Sequence, residues 1–128
     1  MVLLDTHAFV WLVSDQTKLS KAARKVLAGA LQSAAISIVT AWEIGLLCKR
    51  GRLQLPLSPA DYISRALHQH NIQELPLDRE LIFRAVALPD LHNDPFDRIL
   101  VATAQVFRMP LISKDRMLAQ YPDVEVIW

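Results

Sequence analysis

Four carboxylates carry most of the chemical information in this sequence: Asp5 in LLDTHAFVW, Glu43 in SIVTAWEIG, Asp97 in HNDPFDRIL and Asp115 in LISKD. A fifth, Asp94, stands three residues before Asp97 with Pro95 between them. An all-oxygen set with no histidine or cysteine at ligand spacing suits Mg²⁺ or Mn²⁺ rather than zinc. Each acid also has an ordinary explanation. Thr40-Ala-Trp-Glu43 fits a capping box, and Asp94-Pro-Phe-Asp97 fits one less closely, with Asp94 as N-cap and Pro95 at the first helical position. Asp5 and Asp115 suit helix starts, where the macrodipole favours an acid by about 0.3–1 kcal/mol. Should the fold gather these acids, two carboxylates about 5 Å apart repel by roughly 3 kcal/mol at an effective dielectric of about 20. Helix-dipole gains cannot offset several such pairs, and the neighbouring basic residues are Arg98, Lys114 and Arg116. A bound divalent cation can offset them.

The elements that must position these acids alternate. VLL at 2–4 is a short apolar run that stops at Asp5, as a buried strand does before a turn. A short helix is expected at 8–13, and an amphipathic one over SKAARKVLAGAL with Ser20 as cap. AAISIV at 34–39 is a second strand candidate, and TAWEIGLLCKRG reads as a helix from Thr40 closed by Gly51. SPADYISRALHQH has Ser58 as cap and Pro59 at the first helical position. A strand near 72–75, a helix near 79–87, a helix over PFDRILVATAQVFR, a strand PLIS at 110–113 and a last strand in VEVIW complete the chain. Short buried strands separated by helices predict an α/β fold with a parallel sheet covered on both faces. Such a sheet takes ligands beyond the C-terminal ends of its strands, and Asp5, Glu43 and Asp115 all follow strand ends.

Composition sets the outer bounds. At 128 residues the simplest reading is one domain spanning 1–128. Cys48 is the single cysteine, so no disulfide can form within the chain, and with no signal-peptide pattern a reducing cytoplasm is expected. The apolar fraction is 52%, yet no apolar run reaches the roughly 18 residues of a membrane span. A dimer or partner interface is the more economical use of that surplus. A net charge of +1 points by itself to neither nucleic acid nor membrane.

Taken together, Asp5 in LLDTHAFVW, Glu43 in SIVTAWEIG, Asp97 in DPFDRILVATA and Asp115 in LISKD resemble the PIN-domain nucleases, specifically the VapC-like toxins of toxin–antitoxin pairs. The resemblance covers essentially the whole chain. It implies a three-layer α/β/α sandwich, Mg²⁺ or Mn²⁺ in an acidic pocket, endoribonuclease activity leaving a 5′-phosphate, a homodimer, and a small antitoxin as partner. It also implies that Asp5, Glu43, Asp97 and Asp115 are the catalytic metal ligands. Asp94 then caps its helix or supports the ligands, with the cap favoured. In such a site the ion acidifies a water, polarises a phosphoryl oxygen and orients in-line attack, and Asp97 or Glu43 is placed to take the proton.

Other residues keep two readings. Thr6 and Ser113 adjoin the acids and either support them by hydrogen bonds or simply cap. His7 and His92 are read as hydrogen-bonded structural groups rather than acid–base catalysts. Arg98 either contacts phosphate or balances charge locally, the second ranking slightly higher. Lys49, Arg50 and Arg52 are candidates for RNA contact, as is the cluster Lys18, Lys21, Arg24 and Lys25, although helical charge clusters are commonly solvated faces. Trp11 and Trp42 are assigned to the core, with a groove for an antitoxin helix formed by Trp11 and the first helices as the alternative.

Two rivals to a nuclease remain. One is a PIN-fold module that binds metal or a partner without cutting. The other is a receiver-like phosphoacceptor domain, a poor fit because DTH offers one acid after the first strand, not two.

Overall fold

The computed structural model describes residues 1–29 and 33–128. Its elements are β1 (Val2–Leu4), α1 (Thr6–Ser14), a 3₁₀ turn (Gln16–Lys18), α2 (Lys21–Leu27), β2 (Ala34–Ser37), α3 (Ile38–Lys49) and α4 (Pro59–Gln69). There follow β3 (Gln73–Leu75), α5 (Arg79–Ala87), α6 (Pro95–Phe107), β4 (Leu111–Ile112), a second 3₁₀ stretch (Arg116–Gln120) and β5 (Val126–Ile127). All five strands pair in parallel, in the order β3-β2-β1-β4-β5. The three inner strands are buried throughout, which is why they are written almost wholly in apolar residues, whereas the edges β3 and β5 are partly exposed.

Alternation along the strands divides the core in two. Val2, Leu4, Ile36 and Ile112 pack with Phe9, Ile44, Tyr62 and Ile63 on one face. Leu3, Ala35 and Leu111 pack with Leu81, Ala85, Leu100 and Val101 on the other. Helices α1 to α4 therefore cover one side and α5 and α6 the other, giving the expected three-layer sandwich. The β1–β4 junction is the switch point of this order, since the chain passes from β1 to β2 and β3 on one side before returning to place β4 on the other. A receiver-like domain would have the order 2-1-3-4-5, so the sheet removes that rival.

Several boundaries differ from expectation. The strand expected at 34–39 ends at Ser37, whose hydroxyl accepts the Val39 N–H and starts α3 two residues before Thr40. The β-branched pair Ile38-Val39 looks like strand locally, but the cap and the packing of α3 override that preference. Thr40 is thus not a cap: it is buried, and its hydroxyl has no hydrogen-bond partner among the described residues. At the other end Gly51, at φ +70°, closes α3 as expected, with Arg52 N–H on Leu47 O and Gly51 N–H on Cys48 O. Helix α1 is longer than 8–13 because Asp5 caps it. Helix α2 ends at Leu27, and residues 30 and 31 of the helix expected there lie outside the described residues. Trp42 is not in the core, being 62% exposed.

Candidate active site

Three of the acids are placed by the same device. Asp5 Oδ1 accepts the Ala8 N–H at 2.8 Å and caps α1. Asp94 Oδ1 accepts the N–H groups of Phe96 and Asp97 at 2.8 and 3.3 Å and caps α6, with Pro95 at its first position. Asp115 Oδ1 accepts the Met117 N–H at 3.0 Å and caps the 3₁₀ stretch. In each case capping uses Oδ1 and leaves the second oxygen for another task. Asp97, in the first turn of α6, and Glu43, in the second turn of α3, cap nothing among the described residues.

These five carboxylates, with Thr6, His7, Trp11 and Lys114, line one cavity of about 480 Å³ beyond the C-terminal ends of the inner strands. Lys114 is the one lysine or arginine in that lining. The charges are poorly met, and their proton affinities record it. Burial raises the Asp5 carboxyl above its usual range, against the Ser113 hydroxyl, the Ala8 N–H and His7, while Asp115 adds to the rise. Burial also raises Glu43, with Asp94 and Asp5 adding to it and the Thr6 hydroxyl and His7 opposing. Asp97 is pushed up to about 7, first by burial and then by Asp94, with His92 opposing and Glu43 and Asp5 contributing further. Thr6 and Ser113 thus stand against Glu43 and Asp5, and Ser113 Oγ also accepts the Asp115 N–H at 3.1 Å.

The chain belongs to the PIN domain family. A model of that family, described as "PIN domain", matches residues 2–124. Ribonuclease VapC22 of Mycobacterium tuberculosis is 29% identical over 130 residues, covering 99% of this chain and 98% of that protein. Among solved structures, a toxin–antitoxin complex from Klebsiella pneumoniae contains a chain at TM-score 0.66 and 24% identity, covering 97% of this chain and 95% of that one. A chain in the VapBC2 structure from Rickettsia felis, bound to a DNA fragment from their promoter, reaches TM-score 0.70 at 12% identity, with 98% and 97% covered. At these identities the structural likenesses speak for the fold.

In this PIN domain the structure brings together every acid singled out from the sequence and separates two groups of basic residues from them. Lys49, Arg50 and Arg52 are exposed at the end of α3, roughly 9 Å along the axis from Glu43 at 1.5 Å per residue. Arg98 does not line the cavity. Its Nη2 donates to the carbonyls of Ala85, Val86 and Leu88, and its Nη1 to those of Pro89 and His92 and to the Tyr121 hydroxyl. It closes the C-terminus of α5 and holds the loop that carries His92, in place of either contacting phosphate or balancing its neighbour. His92 is a hydrogen-bonded group, as read from the sequence, and the structure adds its partners: Nε2 lies 3.0 Å from Asp115 Oδ2 and 3.3 Å from Asp97 Oδ2. The spacing of 23 residues between His92 and Asp115 carries no local signal for that contact.

Proposed function

We propose that this chain is a metal-dependent endoribonuclease, the toxin of a toxin–antitoxin pair, built as a single PIN-like domain over residues 1–128. One observation carries the reading: carboxylates from four separate parts of the chain meet in one cavity, and those of Asp5, Glu43 and Asp97 are raised, first by burial and then by their acidic neighbours. Membership of the PIN family and the 29% identity to Ribonuclease VapC22 support the same activity.

The donor set fits a hard divalent cation. Asp5, Glu43, Asp97 and Asp115 would hold Mg²⁺ or Mn²⁺, all through oxygen, and the site's excess negative charge is what such an ion would neutralise. When bound, the ion supplies charge relief at the scissile phosphate and a more acidic water. The chain's own residues do the rest. Asp97 or Glu43 would take the proton from the attacking water. Thr6 and Ser113 orient Glu43 and Asp5, and Asp94 sets the α6 turn that delivers Asp97. Lys114 is positioned to meet phosphate at the cavity mouth, and Lys49, Arg50 and Arg52 to track the RNA backbone further off.

An antitoxin and a second copy of the chain belong to the same reading. A groove between α1 and α4, lined by Val10, Trp11, Leu53, Leu55, Leu57 and Tyr62, suits the apolar face of a partner helix, and Trp11 lines both this groove and the acid cavity. Ile82, Phe83 and Val86 leave an exposed apolar face on α5 that supports a homodimer. No described helix is long and apolar enough to cross a membrane.

The decisive experiment is cleavage of end-labelled total transfer RNA and ribosomal RNA with Mn²⁺ or Mg²⁺, with EDTA, and with Asp5→Asn. Cutting that requires the ion and disappears in the variant is the expected result. A folded, antitoxin-free chain that cuts neither RNA in either metal would instead favour the binding module of the same fold.

A further inference from the structure

We propose that His92 is a positioning residue for the acid cluster, whose Nε2–H, hydrogen-bonded to Asp115 and set against Asp97, holds the two acids as a pair shaped to receive the cation; this rests on the reading of those acids as metal ligands. The ring's state follows from its contacts. The backbone N–H of Asp94 donates to His92 Nδ1 at 3.1 Å, so Nδ1 presents its lone pair and the ring's proton is on Nε2. Nε2 is therefore a donor: it hydrogen-bonds to Asp115 Oδ2 at 3.0 Å and stands 3.3 Å from Asp97 Oδ2, an electrostatic contact.

That tautomer separates two roles the geometry would otherwise allow. His92, Asp97 and Asp115 each offer an atom within 4.8 Å of the other two, a span a metal could bridge. A ring nitrogen carrying a proton cannot ligate, so His92 supports the ligands and is not one of them. The support is itself held from two sides. Asp94 N–H fixes the ring, and Arg98 Nη1 fixes the backbone by donating to the His92 carbonyl at 3.1 Å. Asp97 comes from the first turn of α6 and Asp115 from the turn after β4, so no single element sets the distance between them. The imidazole does, by placing one N–H dipole between two groups that repel, hydrogen-bonded to Asp115 and in electrostatic contact with Asp97. Asp115 then has Oδ1 on the Met117 N–H and Oδ2 on the ring, which leaves the lone pairs not used in these bonds at a fixed orientation.

The test compares Mn²⁺ binding by calorimetry, and melting in EDTA, for the wild-type chain, His92→Ala and His92→Gln. Glutamine can carry an N–H donor to about the position of Nε2 without being able to titrate. Loss of the bridge in His92→Ala should weaken Mn²⁺ binding about 10- to 100-fold, the usual range for residues that orient ligands, and His92→Gln should recover most of it. If His92→Ala melts lower but binds Mn²⁺ as tightly as wild type, the residue only supports the loop and the proposal fails. Tighter binding by His92→Ala would show that the ring competes with the ion, which also overturns it. A folded wild-type chain that binds no Mn²⁺ would remove the metal reading and this inference together. Nitrogen-15 spectra of the imidazole in the metal-free chain give an independent check: a protonated Nδ1 would contradict the tautomer.

Discussion

Asp97 and Arg98 are neighbours on the first turn of α6, yet their surroundings treat charge in opposite ways. The Arg98 guanidinium reaches five carbonyl oxygens and the Tyr121 hydroxyl, several of them at the C-terminus of α5, where the helix dipole favours a cation. Asp97 is largely buried and faces Asp94, Glu43 and Asp5, with His92 3.3 Å away, and its carboxyl rises to about 7. A charge whose partners are all present serves the fold, while a charge left over in a cavity marks where something else binds. Consecutive helical residues point about 100° apart, so one turn of α6 can serve both purposes.

Removing the leftover charge should have the larger effect on function. Asp97→Asn should lower RNA cleavage more than about 100-fold, beyond the range for residues that merely orient ligands, while its melting temperature in EDTA at pH 8 stays equal to or above that of wild type. A variant that cut RNA normally would place Asp97 outside the reaction. Removing the satisfied charge should strike stability instead. Arg98→Met leaves several carbonyls without their donor and should cost about 3 kcal/mol, read as a fall in melting temperature of roughly 10 °C. If that variant melts like wild type, the contrast between the two residues is lost.

A finer comparison uses pH. The Asp97 carboxyl has an ordinary value of 3.8 and is raised to about 7 in the fold, so across that interval the folded chain retains a proton that the unfolded chain has released. Stability in EDTA should therefore fall as pH rises from about 4 to about 7, and Asp97→Asn should flatten the curve. Saturating Mg²⁺ should flatten it as well. A wild-type curve that climbs through this interval would contradict the assignment of the rise to Asp97. The smallest effect is expected at the exposed bases: Lys49→Ala, Arg50→Ala and Arg52→Ala together should weaken RNA binding and reduce its log–log salt slope by up to about 3, one for each phosphate no longer neutralised. An unchanged slope would remove that patch from the RNA path.

Much of the local structure is legible in the sequence. Ser20 and Ser58 cap α2 and α4, Pro59 opens α4 and Gly51 closes α3, because these signals act within a few residues. In sequence, the capping and binding readings of Asp5, Asp94 and Asp115 look like alternatives. They are compatible because a carboxylate has two oxygens and a cap uses one. Other features cannot be read locally. α3 is apolar nearly all round, with no stripe to say which side is covered, so nothing local tells Trp42 from a core residue, although it projects beside Phe96 with most of its surface exposed. Arg98 looks like local compensation for its neighbour, and its actual acceptors lie up to 13 residues back in α5.

By itself the sequence determined which residues start α2, α4 and α6, and that Asp5 and Asp115 would stand where apolar strands stop. These follow from burial, capping and backbone preference over short distances. Only the tertiary structure decided that the stops meet. The order β3-β2-β1-β4-β5 sets the end of β4 beside that of β1 although more than 100 residues separate them, and α6 then brings Asp97 to the same rim. Strand order is chosen by the packing of two cores on opposite faces of the sheet. The repulsion that gives the cavity its chemistry exists only after that choice has brought the carboxylates together.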